Sequence, residues 1–192
     1  MLNEIHSSYI KKIVLSYIND NTRYHLIKYN KNIQNILDIT IMNYRILSGK
    51  YILGDPNGKG KEYNSFSDAL IFEGEFIKGK RKAGKEYNEN NILIFDGEYL
   101  NGKRKSGKEY NKNNILIFDG EYLNGKRKSG KEYNEKNILI YEGEYLNGKR
   151  NGKGKEFEDD FGKLIFKGEF LDGKRNGKGE EYNEYTNLIF EG

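Results

Sequence analysis

Five segments of this 192-residue chain carry Gly-x4-Gly-Lys, among them Gly74 to Lys80 and Gly97 to Lys103. That spacing matches most of a P-loop, whose backbone amides and lysine cradle phosphates. The next residue is Arg each time, where magnesium needs a Ser or Thr hydroxyl, and no helix pattern follows. These segments therefore read as turns. Two carboxylate ladders recur as well: Glu75, Glu98, Glu121, Glu144 and Glu169, and Glu86, Glu109, Glu132, Glu156 and Glu181. Paired carboxylates do acid/base work when their environments push the two pKa values apart. Repeated five times on an exposed face beside lysines, these read instead as cross-strand charge pairs. Catalysis needs one unusual place, and this chain offers the same place repeatedly. With no Cys, neither a thiolate zinc site nor a cysteine nucleophile nor a disulfide can form. His6 and His25 are the sole histidines, too few for a His cluster. The expectation is no catalytic residue, no cofactor and no metal.

The remaining chemistry is charge. Lys80-Arg81-Lys82, Lys103-Arg104-Lys105 and Lys126-Arg127-Lys128 are followed by Lys149-Arg150 and Lys174-Arg175. If these sit in successive turns of stacked hairpins, they fall along one long edge, opposite connections rich in Asn, Glu and Asp such as Glu158-Asp159-Asp160. From residue 49 onward, 27 basic residues face 26 acidic ones, so any asymmetry lies between edges. Such an edge either stays solvated and blocks aggregation or forms a basic rail for acidic protein segments or anionic headgroups. Near an anionic surface each basic residue contributes ~1 kcal/mol. Nucleic acid is disfavoured, because the overall charge of +4 is too balanced and no exposed aromatics are evidently interleaved with the edge.

The elements that would hold these residues follow from the 23 glycines, none of which precedes Gly49. Leading glycines at Gly49, Gly74, Gly97, Gly120, Gly143, Gly168 and Gly192 recur at 23 to 25 residues, the mark of a repeat array. A second set follows by five, as Gly102 follows Gly97. A third closes each unit, either as a single Gly (Gly84, Gly107, Gly130) or as Gly-Lys-Gly (Gly58/Gly60, Gly152/Gly154, Gly177/Gly179), which predicts two turn lengths. Only Gly162 falls off this lattice. Residues 92–114 and 115–137 differ at two positions, which makes them duplicated units. Within a unit Leu93, Phe95, Gly97 and Tyr99 share one parity and Asp96 and Glu98 the other, a strand with one covered face. Asn101-Gly102 supplies the positive φ of a hairpin turn. Each unit is thus one hairpin, and hairpins that are marginal alone must stack. The leading glycine leaves a slot, with Tyr51, Phe76, Tyr99, Tyr122, Tyr145 and Phe170 as first-rank fillers from the adjacent hairpin. Tyr63, Tyr87, Tyr110, Tyr133, Phe157 and Tyr182 form a second rank. The fold predicted is mainly β, an elongated single-layer array of antiparallel β-hairpins with a short N-terminal helical segment.

The segment Tyr141-Glu142-Gly143-Glu144-Tyr145-Leu146-Asn147-Gly148-Lys149-Arg150-Asn151-Gly152-Lys153-Gly154 resembles the MORN repeat (membrane occupation and recognition nexus). Six copies starting at Gly49, Gly74, Gly97, Gly120, Gly143 and Gly168, with a truncated seventh at Gly192, extend the resemblance over residues 49–192. The resemblance implies a non-catalytic array used for protein binding, self-association or membrane-proximal localisation.

Residues 1–48 differ in composition, with no Gly and six basic against three acidic residues. Ile10, Ile13, Val14, Tyr17 and Ile18 follow i, i+3, i+4, i+7, i+8, which predicts an amphipathic helix. A second helix is predicted over Arg23 to Tyr29 and a short third over Ile33 to Leu37, while Ile39 to Leu47 suits helix or strand equally. So short a segment buries little core alone, so docking on the first hairpin as a cap is favoured. Ile10 to Ile36 also resembles the F-box, which implies a substrate receptor of a ubiquitin ligase.

The apolar runs of four to six residues fall short of the ~20 needed to span a membrane, and no secretory signal is visible. The reading is a cytoplasmic, possible homo-oligomeric MORN-repeat scaffold for a protein partner. Its alternatives are a peripheral adaptor that binds anionic phospholipid through the basic edge, and the ubiquitin-ligase receptor.

Overall fold

The computed structural model describes residues 10, 13, 14, 16–18, 22, 26, 27, 30–37 and 48–192. They form a short helix, α1 (Lys31–Ile36), and thirteen strands: β1 (Lys50–Gly54), β2 (Lys59–Asn64), β3 (Leu70–Ile77), β4 (Lys80–Tyr87), β5 (Leu93–Leu100), β6 (Lys103–Tyr110), β7 (Leu116–Leu123), β8 (Lys126–Tyr133), β9 (Leu139–Leu146), β10 (Lys149–Phe157), β11 (Leu164–Leu171), β12 (Lys174–Tyr182) and β13 (Leu188–Glu191). Sheet order is chain order, and the pairs from β3 to β13 are antiparallel. The hairpin array predicted from alternation and glycine spacing is the architecture that forms.

The chain divides into two compact units. One comprises Met1–Leu53 with Glu62–Ala69, the other Gly54–Lys61 with Leu70–Gly192. In the first, the Asn30 side chain caps α1 by accepting from the Ile33 amide at 3.1 Å. Ile27 and Ile33 are buried against Ile18, Leu26 and Leu37. Lys50 donates to the buried Glu62 at 2.8 Å, and Tyr51 stacks on Tyr63. Of the apolar positions of the predicted amphipathic helix, Ile10, Ile13, Val14 and Tyr17 are exposed, while Ile18 packs against the cluster of Ile27 and Ile33. The stretch from Ile39 to Leu47 lies outside the described residues, as do five of the seven residues of the second predicted helix, Arg23 to Tyr29, and 11 of the 27 residues of the F-box-like stretch from Ile10 to Ile36.

In the second unit, local chemistry sets both ends of each hairpin. Asn101 and Gly102 take φ of 54° and 80°, a two-residue turn whose twist suits the flanking strands. At the opposite end Asn111 Oδ1 accepts from the amides of Asn113 and Ile115 at 2.9 and 3.1 Å. Asn88, Asn134 and Asn183 build the same turn.

Between the ends, one glycine per strand forms a row across the sheet. Gly97 opposes Gly107, which opposes Gly120, and at the last strand Gly179 and Gly192 exchange both backbone hydrogen bonds. A Cβ on Gly97 would lie 2.2 Å from the Ser106 carbonyl and 2.9 Å from Phe95 Cζ. The ring filling each slot therefore comes from two residues before the leading glycine in the same hairpin (Phe72, Phe95, Phe118, Tyr141, Phe166), not from the next hairpin as expected. Phe95 and Gly97 share a face, so the ring folds onto its own strand. Of the expected first-rank rings, Phe76, Tyr99, Tyr122, Tyr145 and Phe170 pack edge-on against these, while Tyr51 stacks on Tyr63. Tyr87 of the second rank lies on the other face and donates to Glu73 at 2.8 Å, because alternation turns Tyr87 away once Glu86 faces the rings.

The two predicted turn lengths are also corrected. Lys149 still opposes Leu146 across the same two-residue turn, and the extra residue enters β10 as a larger bulge between Arg150 and Gly154. Gly152 occupies that bulge at φ 75°. In the first copy Gly54, not Gly49, approaches Gly60.

Candidate functional site

One face of the array is closed by rings. Phe72, Phe95, Phe118 and Tyr141 are fully buried, each contributing ~1.5–3 kcal/mol by burial. Each meets an aromatic of its own hairpin and one of the next, so Phe95 touches Tyr99 and Tyr122 edge-on at 5.5 and 5.4 Å. Such edge-to-face pairs add to the burial. Arg104 lies over the Phe95 ring at 4.5 Å, and Arg127 over Phe118 at 4.5 Å. The same arginines reach back to the preceding repeat. Arg127 Nε donates to Glu109 at 3.1 Å, and Tyr122 donates to that carboxylate at 3.1 Å. Arg104 with Glu86 and Tyr99, and Arg150 with Glu132 and Tyr145, repeat the arrangement. Burial first, then the neighbouring glutamates, push the phenols of Tyr99, Tyr122 and Tyr145 far above their ordinary value. Burial first, opposed by Arg150 and helped by Glu144, Glu132 and Glu156, takes Tyr141 up to about 12.

The opposite face is charged. Lys82, Lys105 and Lys128 pair with Glu75, Glu98 and Glu121 at 2.9, 2.8 and 2.9 Å. The lysines hold those three carboxyls below the usual carboxylate range. On the far side of the glycine row, Lys108 opposes Asp96 and Asp119. The row itself is a groove without side chains. It opens into a cavity of about 680 Å³ around Gly154, Gly168 and Gly179, lined by Lys153, Lys155, Lys167 and Lys178 and by four glutamates.

The thirteen basic residues expected on one edge therefore separate. Arg81, Arg104, Arg127, Arg150 and Arg175 lie over rings. Lys82, Lys105 and Lys128 belong to the charged face. Lys80, Lys103, Lys126, Lys149 and Lys174 remain at the hairpin tips, exposed, opposite Ile77, Leu100, Leu123, Leu146 and Leu171. Those apolar partners are 50–64% exposed. Of the tip lysines only Lys149 has an ion pair among the described residues, with Asp172 at 3.6 Å. The apolar half of this edge was legible: one Ile or Leu precedes each turn. Alternation applied to Lys103-Arg104-Lys105 would also have parted the arginine from the lysines. In the first carboxylate ladder Glu75, Glu98 and Glu121 form the expected charge pairs, whereas Glu144 and Glu169 have no ion pair among the described residues. The second ladder sits beside arginines on the ring face rather than beside lysines. Among the described residues no group of three or more His, Cys, Asp or Glu is placed to hold a metal.

Fold and surfaces define a β-hairpin repeat protein. The MORN repeat family model matches residues 141–159 and 166–183, so the chain carries MORN repeats in the hairpins of β9 to β12. No curated protein matches the chain. Among solved structures it is similar to TarM, at 13% identity over 86% of this chain and 26% of that one, with a TM-score of 0.31. It is likewise similar to a mutant of S. aureus TarM in complex with fondaparinux, alpha-GlcNAc-glycerol and UDP, at 12% identity over 81% of this chain and 27% of that one, with a TM-score of 0.32. The chain spans about a quarter of the length of those structures.

Proposed function

We propose that this protein is a non-catalytic scaffold that binds a protein partner along its hairpin tips. The observation that carries this reading is the row of exposed Ile77, Leu100, Leu123, Leu146 and Leu171, each facing a lysine across its turn. Isolated exposed aliphatics are ordinary, but a row repeated at every hairpin is an interaction surface. With two strands per hairpin, the apolar positions recur every ~10 Å. A helix advances ~10.5 Å in seven residues, so an acidic amphipathic helix laid along the tips places one apolar residue at each leucine. Its carboxylates then meet Lys103 and Lys126. The protein partner recovered by proximity labelling should be lost from the L100S/L123S/L146S variant while the fold persists by circular dichroism. Undiminished recovery would sink the reading.

The same alternation of leucine and lysine favours a second reading, peripheral binding to an anionic membrane, in which leucines enter the interface and lysines meet headgroups. No helix among the described residues is long and apolar enough to cross a membrane. Co-sedimentation with anionic liposomes across a salt series separates the two. Binding that weakens with salt and with Lys103→Glu plus Lys126→Glu supports the membrane reading, and indifference to anionic lipid removes it.

A further inference from the structure

The charge ladder beside the glycine row alternates in sign at every strand from β3 to β10: Glu73, Lys85, Asp96, Lys108, Asp119, Lys131, Glu142, Lys155. The next hairpin inverts it. Lys167 stands where Asp96, Asp119 and Glu142 stand in the other copies, and Glu180 where they carry lysine. As a result Lys155 lies directly opposite Lys167, and Glu180 opposite Glu191. Like charges facing each other across strands are unfavourable, so the inversion lowers stability without serving the sheet.

A second, independent departure converges on the same place. Of the three copies with Gly-Lys-Gly, two place a lysine here, Lys153 and Lys178 before the row glycine where the short copies have Ala83, Ser106 and Ser129, and the third carries Lys59 in the first copy. Lys153, Lys155, Lys167 and Lys178 line the one cavity of about 680 Å³, whose floor is glycine backbone. Lys167 is paired to Glu180 at 3.1 Å, while Lys153, Lys155 and Lys178 have no ion pair among the described residues. Its volume lies in the range of small-ligand pockets, as does that of a cavity of about 540 Å³ over the regular part of the row beside Lys131 and Lys153, and four lysines rather than two set this one apart. The glutamates on its rim, Glu142, Glu169, Glu180 and Glu191, repel an extended polyanion and restrict the site to one compact group.

We propose that this cavity on the charged face binds a phosphate group between Lys155 and Lys167, with Lys153 and Lys178 flanking it and the body of the ligand lying over Gly154 and Gly168. The site is on the face away from the rings and stands independently of the tip edge.

The test is a titration of the full chain followed by the amide resonances of Gly154, Gly168 and Gly179. The probes are inorganic phosphate and phenyl phosphate, with chloride at matched ionic strength as control. Saturable shifts confined to those glycines are expected, tighter for phenyl phosphate because its ring covers the glycine floor. The variant K167D/E180K restores the order found at Asp119 and Lys131. It should lower phosphate affinity at least about tenfold, the loss expected for a hydrogen bond to a charged group, and should raise the thermal midpoint. Shifts that grow linearly without saturating, that appear equally at Gly107 and Gly120, or that survive in K167D/E180K would overturn the site. The melting curve of the variant shows independently that it is folded.

Discussion

Within each Lys-Arg-Lys run, three adjacent cations have three different roles. Arg127 covers the Phe118 ring and holds Glu109, with the two side chains only 20% and 24% exposed. Lys126 stands at the tip with no such contact. Replacing Arg127 by Met leaves a half-buried carboxylate without its cation, and is expected to cost about 1.5–3 kcal/mol, toward the lower end because water still reaches the pair. Lys126→Met should stay within about 0.5 kcal/mol. Urea denaturation of the two variants side by side measures the difference, and equal losses would mean that the arginine is as solvated as its neighbour.

At the scale of the strand and hairpin, the two faces respond to opposite ends of the pH range. On the charged face, Glu75, Glu98 and Glu121 are held below their ordinary value chiefly by hydrogen bonds from Lys82, Lys105 and Lys128. Their contribution is fully present above the unfolded carboxylate value of about 4.3 and is lost as pH falls through the lower folded values. On the ring face the phenols are raised, mainly by burial. Their contribution is complete below the unfolded value of about 10 and disappears as pH rises through the folded ones. Stability should therefore be flat between these limits. The tyrosinate absorbance contributed by Tyr99, Tyr122 and Tyr145 should appear together with loss of the β circular dichroism signal rather than before it. Full ionisation of the tyrosines with the sheet intact would contradict the burial of Tyr99, Tyr122 and Tyr145.

Across the whole molecule, each hairpin from β3 onward is stabilised by its immediate neighbours, through rings, Arg-Glu contacts and the glycine row. Stability is then approximately a sum over units and interfaces. Removing residues 92–114, whose replacement by the next copy changes two positions, should leave a folded array. Its denaturant m-value should fall by about a tenth, in proportion to surface, with lower stability. Failure to fold would show that the copies are not interchangeable.

The chain's own chemistry determined the repeat, its period, the Asn-Gly turns and the alternation, because these rest on φ preferences and on contacts within a few residues. It equally announced the second ladder of glutamates, though not what they hold. That was decided by strand pairing, which sets Glu109 beside Arg127, 18 residues away, and turns the run Lys126-Arg127-Lys128 to two faces and a tip. The extra residue of the Gly-Lys-Gly copies likewise became a bulge rather than a longer turn, because the two-residue turn fits the strand twist and the slack had to fall within the strand. The opposition of Lys155 and Lys167 is of the same kind. Each lysine is unremarkable in its own strand, and only the register between β10 and β11 brings the two charges face to face.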